Sequence, residues 1–294
     1  MDDFASARAG FDQLLKERKV LNVAHRALLG GNVMENTYRG FLAGFRNGAD
    51  MIEIDTAATT DGVYFLIHDG MELRVQGCAT GVVRSTAAEF AARHLRNTCG
   101  HDIGSPERLL DTLPRLKGKG LINLDRSWRY WGKGLLDALH GLDMYRQLLV
   151  KCPAEDLKAV SALESSGRPF MFMAMARKQA DLRALFERHV NLVAAELLFG
   201  AEDHELLEPA FIKELKARGV AVWVNAITMS NGEEWSNISA HHDDDGAVLG
   251  DPDAHWGWLI DHGADVIQTD WPALLYCYLR QRFPGTRPEL MAKN

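Results

Sequence analysis

The chain has 294 residues, 47% of them hydrophobic, enough core-forming material for one large α/β domain or two ordinary ones. With 33 basic against 40 acidic residues the net charge is −7, and no Lys/Arg run is long enough for a nucleic-acid or membrane-surface footprint. No eighteen consecutive residues are apolar, and Cys78, Cys99, Cys152 and Cys277 lack Cys-x-x-Cys spacing, so neither membrane insertion, a zinc knuckle nor a disulfide framework is expected. A cytoplasmic protein with a small-molecule partner is the expectation, its oligomeric state left open.

Phe4, Phe11, Leu14 and Leu15 recur at helical spacing, so residues 4–19 read as a leading helix covering one end of the fold. Residues 20–24 form a short strand that runs into His25-Arg26. Glu35-Asn36-Thr37 then precedes an amphipathic run over 38–46, with Asn36 or Thr37 as N-cap and Gly48 as the stop. That helix feeds a strand at 51–56, which completes a βαβ unit. A second arm at 63–68 follows Asp61-Gly62, the dipeptide suited to a two-residue type I′ hairpin turn. Counted from that turn, Thr60 pairs with Val63, Thr56 with Ile67 and Asp55 with His68, which puts Glu53, Asp55 and His68 on one face. The apolar neighbours make the ribbon a buried one, and buried carboxylates must be paired or coordinated.

Residues 70–104 are mixed, with a short helix expected from 86 to 95, and Ser105-Pro106 reads as the cap and first position of another. From there strands recur at 120–125, 147–151, 169–173, 191–195, 220–225 and 264–270, with amphipathic helices between them. With the strands at 20–24 and 51–56 this makes eight, the arithmetic of a single (β/α)8 TIM barrel with a β-hairpin extension on its second strand. No linker divides residues 1–294, so one domain is expected. The irregular segment is 229–253, a long polar loop whose His241-His242-Asp243-Asp244-Asp245 cluster reads more readily as a solvated loop tip than as a metal site.

In a parallel barrel the strand ends share the rim where chemistry is built. Here they carry His25-Arg26, Glu53, Asp55, Asp125, Lys151, Glu196, Trp223, Asn225 and Asp270, with His68 on the hairpin arm. Glu53, Asp55 and Asp125 make a hard, all-oxygen ligand set suited to Mg²⁺ or Ca²⁺ and poorly suited to zinc. Two histidines beside such a metal can serve as general base and general acid. Arg26 and Lys151 add the positive charge a phosphate oxyanion needs, while Trp223 reads equally as core or as a wall of the pocket. The set describes metal-assisted phosphoryl transfer. No Gly-x-Ser-x-Gly elbow, Gly-x-Gly-x-x-Gly after a strand or Walker A run competes with it.

This order of motifs resembles the glycerophosphodiester phosphodiesterase family, within the superfamily of phosphatidylinositol-specific phospholipases C. The matching pieces are Ala24-His25-Arg26, Glu35-Asn36-Thr37, Gly48 through Asp55, Thr60 through Asp69, Trp223-Val224-Asn225 and Gly263 through Pro272. The resemblance implies a (β/α)8 barrel, His25 and His68 as the acid/base pair, Arg26 as a phosphate ligand, and Glu53 and Asp55 as metal ligands. The family usually has Gly where this chain has Ala27, and a Glu followed two residues on by Lys where it has Asp125 and Ser127. Asp125 is taken as the third ligand and Lys151 as the source of the missing charge. Hydrolysis of a glycerophosphodiester or related sugar-type phosphodiester is the implied reaction. The alternatives are sphingomyelinase D-like or lyase chemistry that releases a cyclic phosphate, and a barrel that binds a phosphodiester without turning it over.

Overall fold

The computed structural model describes residues 2–228 and 238–290. Its frame is a ring of eight parallel strands: β1 (Leu21–Ala24), β2 (Met51–Ala58), β4 (Leu121–Asp125), β5 (Leu148–Pro153), β6 (Met171–Ala176), β7 (Asn191–Leu197), β8 (Ala221–Asn225) and β9 (Val266–Thr269). Each strand pairs with the next in parallel, and β1 closes the ring by pairing with both β9 (Leu21 opposite Val266) and β2 (Val23 opposite Met51). A ninth strand, β3 (Tyr64–Leu66), lies outside the ring, antiparallel to β2. This is the barrel the sequence pattern implies.

Alternation along each strand sorts side chains between two cores. On β2, Ile52 and Ile54 face outward into the layer beneath the surrounding helices, whereas Met51 faces into the barrel with Leu21, Val23, Leu121, Leu149, Met171 and Trp223. Helix α1 (Asp2–Arg18) plugs this lower interior with fully buried Phe11 and the flanking Leu14 and Leu15. Above that apolar floor the inward positions turn polar: Glu53 and Asp55 on β2, Asp125 on β4, Lys151 on β5. Register aligns them, with Asp55 directly opposite Asp125.

Helix α2 (Tyr38–Arg46) starts where Thr37 accepts the Gly40 amide at 3.1 Å and stops at Gly48, whose φ of 83° suits glycine. A Cβ at Gly48 would also fall 2.4 Å from the Tyr276 ring. The hairpin departs from expectation. Thr56 pairs with Leu66 and Ala58 with Tyr64, one residue away from the two-residue register, and of Asp61 and Gly62 only Gly62 adopts a positive φ, 81°. The loop is a three-residue one. Thr59 closes it, its hydroxyl 2.6 Å from Asp61 Oδ1 and accepting the Val63 amide at 3.1 Å, while the Gly62 amide reaches the Thr59 carbonyl at 3.0 Å.

Ser105 and Pro106 do not open a helix either; that helix is Leu109–Thr112. Residues 107 and 108 are recruited to the free edge of β3, Glu107 accepting the Leu66 amide at 2.9 Å and Arg108 bridging Phe65. The helix expected from 86 to 95 is the single turn and a half Ala87–Ala91, begun by a Thr86–Glu89 capping box. Around it, Phe65, Ile67, Val75, Val82 and Phe90 form a separate small core under the hairpin. Of the polar segment 229–253, residues 229–237 lie outside the described residues. The rest is structured, with a helix at Asp244–Leu249 followed by helical turns at Asp253–Gly257 and Trp258–Asp261. No helix among the described residues is long and apolar enough to cross a membrane.

Candidate active site

A cavity of about 220 Å³ opens where the strands end, lined by His25, Arg26, Asp55, His68, Asp125 and Lys151 together with Arg126, Arg177, Glu196 and Asn225. Six of the eight residues singled out from the sequence therefore meet on one wall. Glu53 lies directly beneath. Ligand atoms of Glu53, Asp55 and Asp125 all fall within 4.8 Å of one another. One residue does not join them: Trp223 is fully buried in the apolar floor, two positions below Asn225, and touches the site only by donating its indole N–H to Asn225 Oδ1 at 3.2 Å. Side-chain alternation places it and Asn225 on the same inward face at different depths, so it carries the site and does not wall it.

The carboxylate trio is constrained from several directions. Glu53 Oε2 accepts the Arg26 amide at 2.7 Å, whereas its Oε1 is buried without a hydrogen-bond partner among the described residues. Asn36 clamps Asp55, donating to its Oδ2 at 3.0 Å while accepting its backbone N–H at 2.9 Å. Asp125 Oδ2 lies 3.0 Å from the Lys151 ammonium, and its Oδ1 accepts the Arg126 amide at 2.5 Å. Burial together with repulsion from Asp55 and Asp125 pushes the Glu53 carboxyl well above the usual range. Burial also opposes charge on Asp55, yet the positive fields of His68, Arg26 and Arg126 and the Asn36 hydrogen bond hold it down at about 2. An orphaned buried oxygen inside a knot of mutually repelling carboxylates is what a divalent cation resolves, and the all-oxygen donor set fits a hard one.

Cations surround the trio. Arg26 Nε lies 3.3 Å from Asp55, and its Nη1 donates to Glu35 at 3.3 Å. Lys151 is buried between Asp125 and Glu196, 3.1 Å from the latter; burial works against its charge, but the carboxylates raise its pKa above the ordinary value. Arg126 pairs with Asp69 and stands 3.7 Å from Asp55.

The two histidines differ in what holds them. His25 Nδ1 is 2.8 Å from Asp270 Oδ1, a carboxylate that orients the ring. His68 Nδ1 is 3.0 Å from the Asp69 carbonyl, which only accepts, so Nδ1 carries the hydrogen and the neutral ring keeps its lone pair on Nε2. Burial, aided by Arg26 and Arg126 against the pull of Asp55, lowers the His68 pKa below 6.5.

Several functional residues escaped sequence reasoning. Asn36 read as a helix cap but takes a left-handed φ of 52° and turns its amide onto Asp55. Arg126, also left-handed at 58°, follows a strand-terminal acid as Arg26 follows His25, and that position was its one signal. The cluster at 241–245 is solvated only in part: His241 and Asp245 are exposed, whereas Asp243 and Asp244 are buried. Asp243 caps its helix by accepting the Gly246 amide at 2.9 Å, and Asp244 is fully buried, accepting from Trp256 Nε1 at 2.9 Å, Thr269 Oγ1 at 2.8 Å and the Asp270 amide at 2.7 Å. It anchors the backbone of the residue that holds His25.

Residues 25–117 match the model of the glycerophosphoryl diester phosphodiesterase family, and residues 170–279 match a model described as a domain of unknown function. No curated protein matches the chain. Among solved structures, a glycerophosphoryl diester phosphodiesterase from Parabacteroides distasonis is similar at a TM-score of 0.69 and 17% identity, with 93% of each chain covered. One from Agrobacterium tumefaciens has a TM-score of 0.61 and 18% identity, covering 88% of this chain and 99% of its own. An Oleispira antarctica phosphodiesterase, solved with the product sn-glycerol-3-phosphate, has a TM-score of 0.62 and 15% identity, covering 88% of this chain and 98% of its own.

Proposed function

We propose, from the match of residues 25–117 to the model of the glycerophosphoryl diester phosphodiesterase family, that this protein is a Mg²⁺- or Ca²⁺-dependent phosphoric diester hydrolase that cleaves a glycerophosphodiester or a related sugar-type diester, with His25 and His68 moving the protons. The observation that carries the reading is the convergence of two differently held histidines in one cavity with a trio of carboxylates, Asp55 and Asp125 in its lining and Glu53 beneath. Glu53, Asp55 and Asp125 would hold a divalent cation, which would supply positive charge for a phosphoryl oxygen. Arg26, fixed by Asp55 and Glu35, presents its guanidinium to another oxygen of the diester. His68 receives the proton of the attacking hydroxyl on Nε2. His25, oriented by the contact of its Nδ1 with Asp270 Oδ1, gives a proton to the leaving alcohol oxygen, and the roles reverse if water then opens a cyclic phosphate. Lys151 keeps Asp125 and Glu196 neutralised and in place.

The test is hydrolysis of glycerophosphocholine, glycerophosphoethanolamine and bis(p-nitrophenyl) phosphate, with EDTA and then with Mg²⁺ or Ca²⁺ restored. Metal-dependent turnover is expected, with glycerol 3-phosphate or its cyclic precursor identified by ³¹P NMR. His25→Ala and His68→Ala should each lower kcat/KM by about 10²- to 10⁴-fold while preserving the metal-induced rise in Tm. Near-normal turnover in either variant would sink the assignment.

A further inference from the structure

The charges on the cavity wall leave one cation over. Arg26 is ion-paired with Glu35 and Asp55, Arg126 with Asp69, and Lys151 with Asp125 and Glu196. Arg177 also lines the cavity, yet it has neither an ion pair nor a hydrogen bond among the described residues. It follows β6 directly, as His25 follows β1, and β6 is the fifth strand round the ring counted from β1. In an eight-stranded ring that is the diametrically opposite position. Met175, Leu198, Ile227 and Ile238 give the lining apolar surface as well, and Glu196, in register with Met175 on the next strand, is already engaged by Lys151 and Asn225.

The diester phosphate carries a single negative charge, which Arg26 and a cation held by Glu53, Asp55 and Asp125 would already claim. An arginine across the cavity meets the other end of the substrate. Its planar fork of donors matches a carboxylate or phosphate oxygen pair, and the nearest lining carboxylate, Glu196, is already neutralised by Lys151. We infer that Arg177 is a specificity-determining residue, selecting diesters whose alcohol carries a second anionic group close to the reacting phosphate. Cationic choline- or ethanolamine-type heads are disfavoured by the same charge. The inference rests on the phosphodiesterase reading for what the cavity holds.

A matched pair of ligands isolates the second anion: O-phosphoserine and O-phosphoethanolamine differ only by a carboxylate. Titrated calorimetrically into the Mg²⁺-loaded protein at low ionic strength, O-phosphoserine should bind about fivefold more tightly, the size of one partly solvated ion pair. Arg177→Met should bring the ratio to near unity, and Arg177→Lys should keep part of it. Arg177 is exposed and makes no contact whose loss would unfold the chain, so both variants should fold. A wild-type ratio near one, or a preference that survives in Arg177→Met, overturns the inference. Because binding is read without turnover, failure of the catalytic reading shows itself separately, as the absence of metal-dependent cleavage of any diester.

Discussion

His25 and His68 face one cavity, but their second ring contacts divide the work between them. A carbonyl behind His68 fixes the tautomer without adding charge, and burial favours the neutral ring. The neutral ring is the form able to take a proton, and it is the form that persists above the pKa. Since that pKa lies below the ordinary 6.5, kcat/KM should stay level as the pH falls through 6.5 and decline only beneath it. A cation beside Asp55 offsets the strongest charge that pulls His68 upward, so metal loading should move the limb further down and not back. A pH profile of kcat/KM at saturating metal checks this; an acid limb at or above 6.5 would mean that His68 is not the base. Chemical type and strand-end position made His25, His68 and the three carboxylates legible in the sequence. Asn36, Arg126 and Asp244 were not legible, because each matters through a partner that only the closed barrel brings near: Asn36 through Asp55, Arg126 through Asp69, Asp244 through Asp270.

The connection after β1 shows what an element demands of single positions. Arg26 and Ala27 both take left-handed backbone, at φ 52° and 71°, which turns the chain sharply enough for the Arg26 amide to reach Glu53 while its side chain enters the cavity. A glycine would hold the second position without strain, and this accounts physically for the family's preference there. Alanine is tolerated in its place, with a buried methyl as partial return. A β-branched side chain is not. Ala27→Val should cost about 2–5 kcal/mol from backbone strain and overpacking combined. Ala27→Gly should lie within about 1 kcal/mol of wild type, relief of strain offsetting the greater freedom of the unfolded chain. Urea denaturation with an unchanged m-value reads both, and a valine variant as stable as wild type would contradict the strained turn. Elsewhere the misread elements share one cause. Asp61-Gly62 serves a two-residue and a three-residue loop alike, and Thr59 decided between them; Ser105-Pro106 carries a helix-start signature, but the open edge of β3 captured the residues that follow.

As a whole the molecule is a barrel in two storeys, and the division explains why the fold was easier to read than the site. Most strands spend their lowest inward positions on apolar residues and their upper ones on polar residues, β6 with Met175 at the cavity being an exception, so the period-2 pattern survives in the sequence whichever storey a residue occupies. Trp223 was ambiguous for that reason: pattern gives the face a side chain points to, while depth depends on where α1 stops filling the barrel. Stability and catalysis are consequently separable along the barrel axis. Phe11 is fully buried among Leu21, Met51, Leu149 and Trp223, and neither it nor Leu14 or Leu15 lines the cavity. Phe11→Ala should therefore open a void in the floor and cost about 3–5 kcal/mol, as large-to-small changes at well-packed sites do. Well below the lowered Tm, kcat and KM for a cleaved diester should remain within about twofold of wild type, because the carboxylates and histidines are held by hydrogen bonds and ion pairs of the upper storey, which sites without shared partners leave undisturbed. Chemical denaturation alongside steady-state kinetics decides it. A large rise in KM with little loss of stability would show that α1 reaches the site after all, and that floor and mouth form one mechanical unit.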